Sequence, residues 1–198
     1  MPNIIVQKFG GTSLGTEERI AAVAKIVKEA SQSANVIVVV SAMSGETNRL
    51  IELAKSFGDD PSKREFDALI STGEKVSAAL LAMALHQIDA KAKSYTASQI
   101  SMKTTNSYSK ARILEVDGKK IQDALDEGII PIITGFQGIT ESGDVTTLGR
   151  GGSDTTAVAI AAQMKAERCD IYTDVDGIYT TDPRVVPEAK RLDTITME

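Results

Sequence analysis

The stretch Lys8-Phe9-Gly10-Gly11-Thr12-Ser13 joins an apolar run, Ile4-Ile5-Val6, to a helical pattern that begins near Thr16. Glycine has no Cβ, so the backbone N–H groups of the two glycines can approach an anion closely. A helix N-terminus beyond them adds unpaired donors and the positive end of a dipole, and the lysine adds a full charge. The stretch therefore predicts a phosphate-binding turn between a strand and a helix. The alternative is a tight turn with a solvated lysine.

The composition is that of an ordinary globular domain. The chain has 198 residues, of which 42% are hydrophobic and 25% are charged, enough for one domain with a substantial core. The formal net charge is −5, aromatic residues make up 4%, and there is no long basic run. We therefore expect no nucleic-acid partner. An anionic substrate remains compatible, because a site can be locally positive within an acidic protein.

Several classes of protein are disfavoured by what the sequence contains. Cys169 is the single cysteine, so we expect neither an internal disulfide nor a cysteine zinc site, which fits a cytoplasmic location. The N-terminus enters a strand at once, and no apolar run approaches the length of a membrane span, so we expect no membrane partner. His86 is the single histidine. A Ser-His-Asp hydrolase and a multi-histidine metal site are therefore poorly supported, and we assign no metal ligands.

Apolar runs that suit buried strands alternate with helical patterns along the chain. Strands are predicted at 3–9, 36–40, 93–96, 129–134 and 170–173, although Pro131 suggests that the fourth starts late or is irregular. Helices are predicted at 16–30, 47–57, 63–87 with an interruption at 71–74, 119–126 and 153–166. The first is capped by Thr16, and the last is capped by Ser153 with Asp154 in its first turn. Hairpins are predicted within 97–116 and, as a hairpin or a lid, within 135–149.

This alternation predicts an α/β fold, in which a mainly parallel sheet carries helices on both faces. Ligands in such sheets bind beyond the carboxyl ends of the strands. Polar, glycine-rich segments at 10–13, 41–45, 135–138 and 173–177 each follow a predicted strand. We therefore expect them to gather at one edge of the sheet and to form a site there.

The glycine-rich segments do not match the common nucleotide and hydrolase motifs. The chain lacks G-x-x-x-x-G-K-[ST], a G-x-G-x-x-G after the first strand, and G-x-S-x-G,. It has instead two glycine-rich loops, at 10–11 and 149–152, with lysine, arginine and aspartate beside them. These suit a triphosphate with Mg²⁺ facing an anionic co-substrate. A carboxylate acceptor, with a pKa of about 4, would already be ionised and would need no general base.

Six segments together resemble the aspartate kinases, which belong to the wider group with the amino-acid kinase fold, an αβα sandwich. They are KFGGTS at 8–13, SAMSGETN at 41–48, STGE at 71–74, GFQG at 135–138, TLGRGGSD at 147–154 and TDVDGIYTTDPR at 173–184. They occur in the family's order over essentially the whole chain. The resemblance implies ATP-dependent phosphorylation of the side-chain carboxylate of L-aspartate to 4-phospho-L-aspartate, the first step towards lysine, threonine and methionine. ATP and Mg²⁺ are implied with it.

The resemblance also implies roles for single residues. Lys8 would stabilise the transferring phosphoryl group, and Asp154 would orient that lysine. Arg150 would bind the α-carboxylate of aspartate, which suits its forked donors, and Glu74 would pair with the α-amino group. The other residues implied in the aspartate pocket are Thr47, Phe136 and Ser153. Those implied around the nucleotide are Gly10, Gly11, Ser41, Thr173, Asp174, Tyr179 and Arg184.

Each of these residues also has a purely structural interpretation. Arg150 could form a surface ion pair, Asp154 could be an ordinary acid in the first turn of a helix, and Glu74 could simply begin a helix. Tyr179 could be a packed aromatic residue in a loop.

The chain departs from the family's pattern at its end. The family's catalytic domain continues past TDPR with further helix and strand, including a lysine near the nucleotide phosphates, and is followed by paired regulatory ACT domains. We therefore expect residues 1–198 to be one catalytic domain that is incomplete at its C-terminus and lacks an ACT domain. We would then expect an exposed sheet edge that is prone to pairing and weak or absent activity. We also expect a homo-oligomer or association with a regulatory subunit.

Two alternatives to an aspartate kinase remain open. One is a kinase for a related amino acid, such as acetylglutamate. Glu74 and Arg150 argue for a free α-amino acid, because an acetylated nitrogen carries no charge for Glu74 to pair with. The other is a non-catalytic module that binds nucleotide or assembles with a partner.

Overall fold

A five-stranded parallel sheet forms the centre of the computed structural model, which describes residues 3–58, 60–174, 177–181 and 185–193. The strands in chain order are β1 (Ile4–Phe9), β2 (Asn35–Val40), β3 (Ala92–Tyr95), β4 (Met102–Thr104), β5 (Ile113–Val116), β6 (Ile130–Thr134), β7 (Gln137–Ile139), β8 (Val145–Thr147), β9 (Arg168–Tyr172), β10 (Ile178–Tyr179) and β11 (Arg191–Leu192). The helices are α1 (Glu17–Ala30), α2 (Glu46–Lys55), α3 (Lys63–Ile70), α4 (Thr72–His86), α5 (Lys119–Asp126) and α6 (Gly152–Gln163). The central sheet has the order β3-β6-β2-β1-β9.

Helices cover both faces of this sheet, as the sequence predicts. Because side chains alternate along a strand, neighbouring residues of β1 and β2 enter different cores. Ile5 and Val38 pack against α1 and α4 in one core. Val6 and Ile37 pack against α5 and α6 in the other. Strands buried on both faces read as continuous apolar runs, which explains the sequence of β2.

A second sheet, with the order β5-β4-β7-β8, lies beside the first and contacts α3 and α6. Strands β4 and β5 form one antiparallel hairpin, and β7 and β8 form another. The hairpins predicted within 97–116 and 135–149 are therefore confirmed. Strands β10 and β11 pair separately from both sheets.

The cap predicted for α1 is confirmed, whereas the one predicted for α6 is wrong. The Thr16 hydroxyl accepts a hydrogen bond from the Arg19 backbone N–H at 3.3 Å. Helix α6 instead begins at Gly152, one residue before the predicted cap Ser153, and its N-cap is Gly151 in the left-handed conformation with φ 73°. A glycine accepts this conformation at little cost, so the chain can turn sharply into the helix without a side-chain cap. Asp154 lies in the first turn as predicted.

Pro131 lies inside a regular strand rather than at an irregular point. The Ile130 N–H donates to the Lys91 carbonyl on the β3 side. Donor direction alternates along a strand, so the Pro131 nitrogen faces β2. Pairing with β2 begins only at Ile132, opposite Val38. The missing N–H therefore costs the sheet no hydrogen bond.

The helical stretch Lys63–His86 is, by length and composition alone, able to cross a membrane, which the apolar runs of the sequence did not lead us to expect. Its most apolar window has a mean hydropathy of 1.4, and half of that window is buried inside the fold. Core helices of globular proteins meet the same test, and this stretch is broken at Ser71 into α3 and α4. It contributes Leu81 and Leu85 to the core against α1.

Substitutions at two positions of α4 will separate burial from helix propensity. Leu81 is fully buried, whereas Met83 on the same helix is 60% exposed. We expect Leu81→Ala to lower the free energy of unfolding by about 2–5 kcal/mol, because it leaves a cavity in the core. Met83→Ala should change it by less than about 0.5 kcal/mol. Urea unfolding of both variants measures the difference, and equal losses would contradict the described packing.

Candidate active site

Backbone hydrogen bonds join the segments that follow four strands of the central sheet. The Gly10 N–H donates to the Tyr172 carbonyl at 3.1 Å, and the Ser41 N–H donates to the Phe9 carbonyl at 3.1 Å. The Gly135 N–H donates to the Val40 carbonyl at 2.9 Å. The predicted gathering of the glycine-rich segments at one sheet edge is thus confirmed for 10–13, 41–45, 135–138 and the described start of 173–177.

Two of these glycines are required by close approach. A Cβ at Gly11 would lie 2.8 Å from the Ala42 carbonyl oxygen. A Cβ at Gly135 would lie 2.7 Å from the Ser153 Oγ and 2.9 Å from the Val40 carbonyl oxygen. Any side chain would force these segments apart, so glycine here keeps the wall of the site closed.

A cavity of about 410 Å³ opens where these segments meet. It brings together nine of the residues proposed for the site from the sequence. They are Lys8, Gly11, Ser41, Thr47, Glu74, Phe136, Arg150, Ser153 and Asp154. Sections of chain that are distant in sequence, among them β1, α4 and α6, therefore line one cavity.

Lys8 and Asp154 form an ion pair at the base of this cavity. The Lys8 Nζ lies 2.8 Å from the Asp154 Oδ1, and the two side chains are 9% and 50% exposed. Lys8 points from β1 towards α6, because it shares the face of β1 that carries Val6. An ammonium group has three donors, and within the described ranges this carboxylate is the one acidic group paired with it. Donors therefore remain for an anion in the cavity.

Glu74 presents a buried oxygen that no described group satisfies. The residue is 2% exposed, and its Oε1 accepts a hydrogen bond from the Ala42 N–H at 3.2 Å. Its Oε2 is buried without a hydrogen-bond partner among the residues that the structure describes. Burial raises the pKa of Glu74 to about 7, although bonds from its own backbone N–H and from that of Ala42 act in the opposite direction,. A cationic donor placed at Oε2 would satisfy both the oxygen and the charge.

Two helix N-termini contribute positive dipole ends to the cavity. Helix α2 begins after Gly45, with φ 83°, and α6 begins after Gly151. Both glycines line the cavity. Unpaired N–H groups and the dipole at such termini stabilise anions, so this arrangement suits the phosphates or carboxylates of a ligand.

Phe136 is held in a strained conformation at the edge of the cavity. Its φ of 69° is uncommon for a residue other than glycine,. The backbone N–H donates to the Thr156 Oγ1 at 3.2 Å, and a Cβ at Gly152 would lie 2.9 Å from the Phe136 Cδ2. The ring therefore packs directly on the first residue of α6. Strain of this kind tends to persist at ligand sites.

Arg150 is exposed at the mouth of the cavity. No acidic side chain pairs with it in the described part of the chain. The surface ion pair that served as its structural interpretation is thus not seen there. Its guanidinium is available for a carboxylate of a ligand, which it can bind with two parallel hydrogen bonds.

The residues proposed for the nucleotide are not all in the cavity. Gly10 lies beside it, bonded to Tyr172. Thr173 and Asp174 follow β9 at the same sheet edge, exposed, with the Thr173 Oγ1 donating to the Asp174 Oδ1 at 3.2 Å. Tyr179 lies in β10, paired through its backbone with β11, and Arg184 lies outside the described residues. The nucleotide roles stay predictions.

Sequence reasoning missed Asp67, Ala42 and Gln137. Ala42 lines the cavity and supplies the N–H that bonds Glu74. The Gln137 Nε2 donates to the Ser71 carbonyl at 2.9 Å and thereby ties β7 to the start of α4. Asp67 is fully buried. The available signal was an acidic residue within the apolar stretch Phe66-Asp67-Ala68-Leu69-Ile70.

The fold and this cavity define an α/β protein with a lysine- and arginine-lined cavity at the carboxyl ends of parallel strands, and the comparisons with known proteins give the family. The model of the amino acid kinase family matches residues 3–198, and the chain belongs to that family. The family predicted from the sequence motifs is thereby confirmed.

Within this family, the chain is similar to curated relatives that are named aspartate kinases. An aspartate kinase of Pseudomonas putida is 58% identical over 196 residues, covering 98% of this chain and 48% of that relative. An aspartokinase of Geobacillus stearothermophilus is 55% identical, with the same coverage of 98% and 48%. The chain thus spans about half the length of these relatives.

Solved structures agree with the sequence relatives. The Escherichia coli aspartokinase III structure in complex with aspartate and ADP is 32% identical, with a TM-score of 0.87, over 96% of this chain and 53% of that chain. A Synechocystis aspartate kinase structure is 50% identical, with a TM-score of 0.79, over 94% of this chain and 31% of that chain. An isopentenyl phosphate kinase structure, 19% identical with a TM-score of 0.77, shares the fold alone.

The raised pKa of Glu74 predicts a pH-dependent stability. Between its ordinary value of 4.5 and about 7, the folded carboxyl keeps its proton while the unfolded chain has released its own. The free energy of unfolding therefore falls as the pH rises through this window. Glu74→Gln removes the titration, so wild type should lose about 3 kcal/mol relative to this variant between pH 4.5 and pH 8.

Urea unfolding across this pH range measures the effect. Glu141→Gln, at an exposed turn position, is the matched control and should follow wild type at every pH. If Glu74→Gln follows wild type as well, burial does not perturb the Glu74 carboxyl.

Proposed function

We propose that this chain carries the aspartate kinase catalytic site, which transfers the γ-phosphoryl group of ATP to the side-chain carboxylate of L-aspartate. The observation that carries the proposal is that one cavity is lined both by Glu74, whose buried Oε2 has no partner among the described residues, and by the exposed Arg150. An acidic acceptor and a forked cation suit the ammonium and carboxylate of a free α-amino acid. The names of the close relatives, and the aspartate and ADP held by Escherichia coli aspartokinase III, support the same substrates.

The geometry suggests how the residues would divide the work. Glu74 pairs with the α-ammonium group and Arg150 with the α-carboxylate, so the side-chain carboxylate is directed at Lys8. Thr47, Phe136 and Ser153 complete this pocket. The acceptor carboxylate is already ionised at neutral pH, so positioning and neutralisation of charge are the main requirements. No general base is needed.

The transferring phosphoryl group would meet three sources of positive charge. Lys8 supplies a full charge next to the cavity, and Asp154 holds the ammonium at 2.8 Å. The N-termini of α2 and α6 add dipoles, and the backbone N–H of Gly11, which lines the cavity, can donate to the phosphate. The Gly10 N–H is already bonded to the Tyr172 carbonyl. Charge stabilisation arranged in advance in this way favours the transition state over the bound substrate.

The residues present fit the triphosphate of ATP, because Lys8, Gly11 and the start of α6 form an anion-binding wall. The residues that would hold the remainder of ATP are Gly10, Ser41, Thr173, Asp174, Tyr179 and Arg184. Among the described residues no group of three or more His, Cys, Asp or Glu side chains could hold a metal ion. Mg²⁺ would be carried by the ATP phosphates, whose charge it neutralises.

The wider biological assignment follows from this activity. The product, 4-phospho-L-aspartate, would enter lysine, threonine and methionine synthesis in the cytoplasm. Residues 1–198 would belong to the amino-acid kinase catalytic domain. It would act as a homo-oligomer or with a regulatory subunit.

Calorimetry on this chain tests the substrate assignment without requiring turnover. L-aspartate should bind, and succinate, which lacks the ammonium group, should bind at least about tenfold more weakly. N-acetyl-L-glutamate should be weak for the same reason. The aspartate affinity should rise with pH through about 7, because an ammonium partner favours ionised Glu74; succinate should show no such rise. Equal affinities for aspartate and succinate would refute the role of Glu74.

A coupled ADP-release assay with Mg·ATP then separates an enzyme from a binding module. ADP release that depends on L-aspartate supports the kinase. Binding of both ligands without ADP release would favour the non-catalytic alternative.

Arg150→Ala tests the other half of the amino-acid clamp. Removing a forked, charge-assisted contact should weaken L-aspartate binding by about 10- to 100-fold. ATP binding should change far less. Arg112→Ala is the matched control, because Arg112 is exposed and does not line the cavity. An unchanged aspartate affinity in Arg150→Ala would show that Arg150 does not bind the substrate.

A further inference from the structure

Asp67 is a fully buried carboxylate that the proposed reaction does not use. It lies in α3, and its Oδ1 accepts hydrogen bonds from the hydroxyls of Ser109, at 2.9 Å, and Thr147, at 3.0 Å. Its Oδ2 accepts from the backbone N–H groups of the same two residues, at 2.8 and 2.7 Å. An ionised carboxylate has room for four such donors, and burial without them would be costly. Asp67 thus binds one residue on each of two other segments, Ser109 and Thr147.

One of these segments leads directly to Arg150. Thr147 ends β8, and its carbonyl accepts the Ala111 N–H at 2.9 Å. The next residue, Leu148, donates its N–H to the Phe136 carbonyl at 2.9 Å. Gly149 lies against the other segment, since a Cβ there would be 3.3 Å from the Ser109 carbonyl oxygen. Each residue from Thr147 to Gly149 is therefore fixed by a contact with another segment, and the next residue in the chain is Arg150.

Asp67 itself lies outside the cavity, in the helix that leads to Glu74. Helix α3 ends at Ile70 and passes through Ser71 into α4, whose first turn carries Glu74. The Ser71 carbonyl accepts the Gln137 Nε2, which keeps this junction in place. The hydrogen bonds of one buried carboxylate thus join the segment that leads to Glu74 to the segment that leads to Arg150.

We propose that Asp67 is a positioning residue that sets the separation of Glu74 and Arg150. It thereby tunes the site for the ammonium and carboxylate of a free amino acid. The expected effect of Asp67 on L-aspartate affinity rests on the proposed function. Its effect on the position of the segment 147–150, which leads to Arg150, does not. A forked acceptor is needed, because an amide offers one oxygen and cannot accept from both hydroxyls and both N–H groups.

Two neighbouring threonines give a matched pair of variants. Thr147 and Thr146 are adjacent in β8, and both are buried, at 1% and 0% exposure. The Thr147 hydroxyl bonds Asp67, whereas the Thr146 hydroxyl bonds Thr104 Oγ1 at 2.6 Å in the second sheet. Valine has nearly the same shape as threonine, so Thr147→Val and Thr146→Val each remove one buried hydroxyl. Only the first loosens the link to Asp67.

Hydrogen exchange and L-aspartate calorimetry on both variants test the proposal. We expect the peptide covering 147–152 to exchange faster in Thr147→Val than in Thr146→Val at similar melting temperatures. L-aspartate should bind about tenfold more weakly to Thr147→Val than to Thr146→Val, because a displaced Arg150 loses its geometry. ADP affinity should be the same in both. Ser109→Ala, a milder change on the other segment, should shift both quantities in the same direction.

Equal exchange rates over 147–152 in the two threonine variants would overturn the proposal, whatever the ligand does. If the peptide 147–152 exchanges faster in Thr147→Val but both variants bind L-aspartate with equal affinity, Asp67 does not tune the site for the amino acid. If wild type itself fails to bind L-aspartate, the proposed function fails, and the exchange data alone decide whether Asp67 positions the loop.

Discussion

The parallel pairing of β1 with both β2 and β9 is the constraint on which the site depends. Parallel strands bring their carboxyl ends to one edge, so the segments after β1, β2, β6 and β9 have to meet,. Backbone bonds such as Ser41 N–H to the Phe9 carbonyl then lock neighbouring segments together. Because Lys8 is paired in the strand itself, its ammonium group is positioned by the sheet rather than by a mobile loop. This rigidity is what catalysis by positioning requires.

The arrangement of the cavity has a free-energy cost. Glu74 is buried with one unsatisfied oxygen, Phe136 holds an uncommon backbone conformation, and Lys8 has a single acidic partner among the described residues. Each feature destabilises the folded chain slightly. A ligand of the right charge would relieve the features at Glu74 and Lys8, and so would gain affinity and selectivity.

Local patterns predicted much of the fold, because the chemistry that decides it lies within a few residues. The β-branched run of β2 and the Thr16 cap of α1 are examples. The sequence does not show that Ser153 is not the cap of α6, because the left-handed Gly151, not a hydroxyl, ends the preceding turn. Nor does it show that Pro131 fits a regular strand, because the direction in which its nitrogen points depends on the strand order.

The site, like the fold, has residues that local motifs identify and residues that only long-range contacts identify. Lys8, Glu74, Arg150 and Asp154 were selected by motif, and they line one cavity. Asp67 was missed, because its donors lie 42 and 80 residues away. No local pattern reports that Ser109 and Thr147 converge on one carboxylate. Long-range polar contacts of this kind become visible only once the segments are folded together.

Glu74 and Asp154 stand on helices that cover opposite faces of the sheet. Helix α4 belongs to the core that contains Ile5 and Val38, and α6 to the core that contains Val6 and Ile37. A molecule held by both helices consequently bridges two hydrophobic cores. Such a ligand acts as a crosslink between layers: it resists sliding of one layer over the other and makes their unfolding more cooperative.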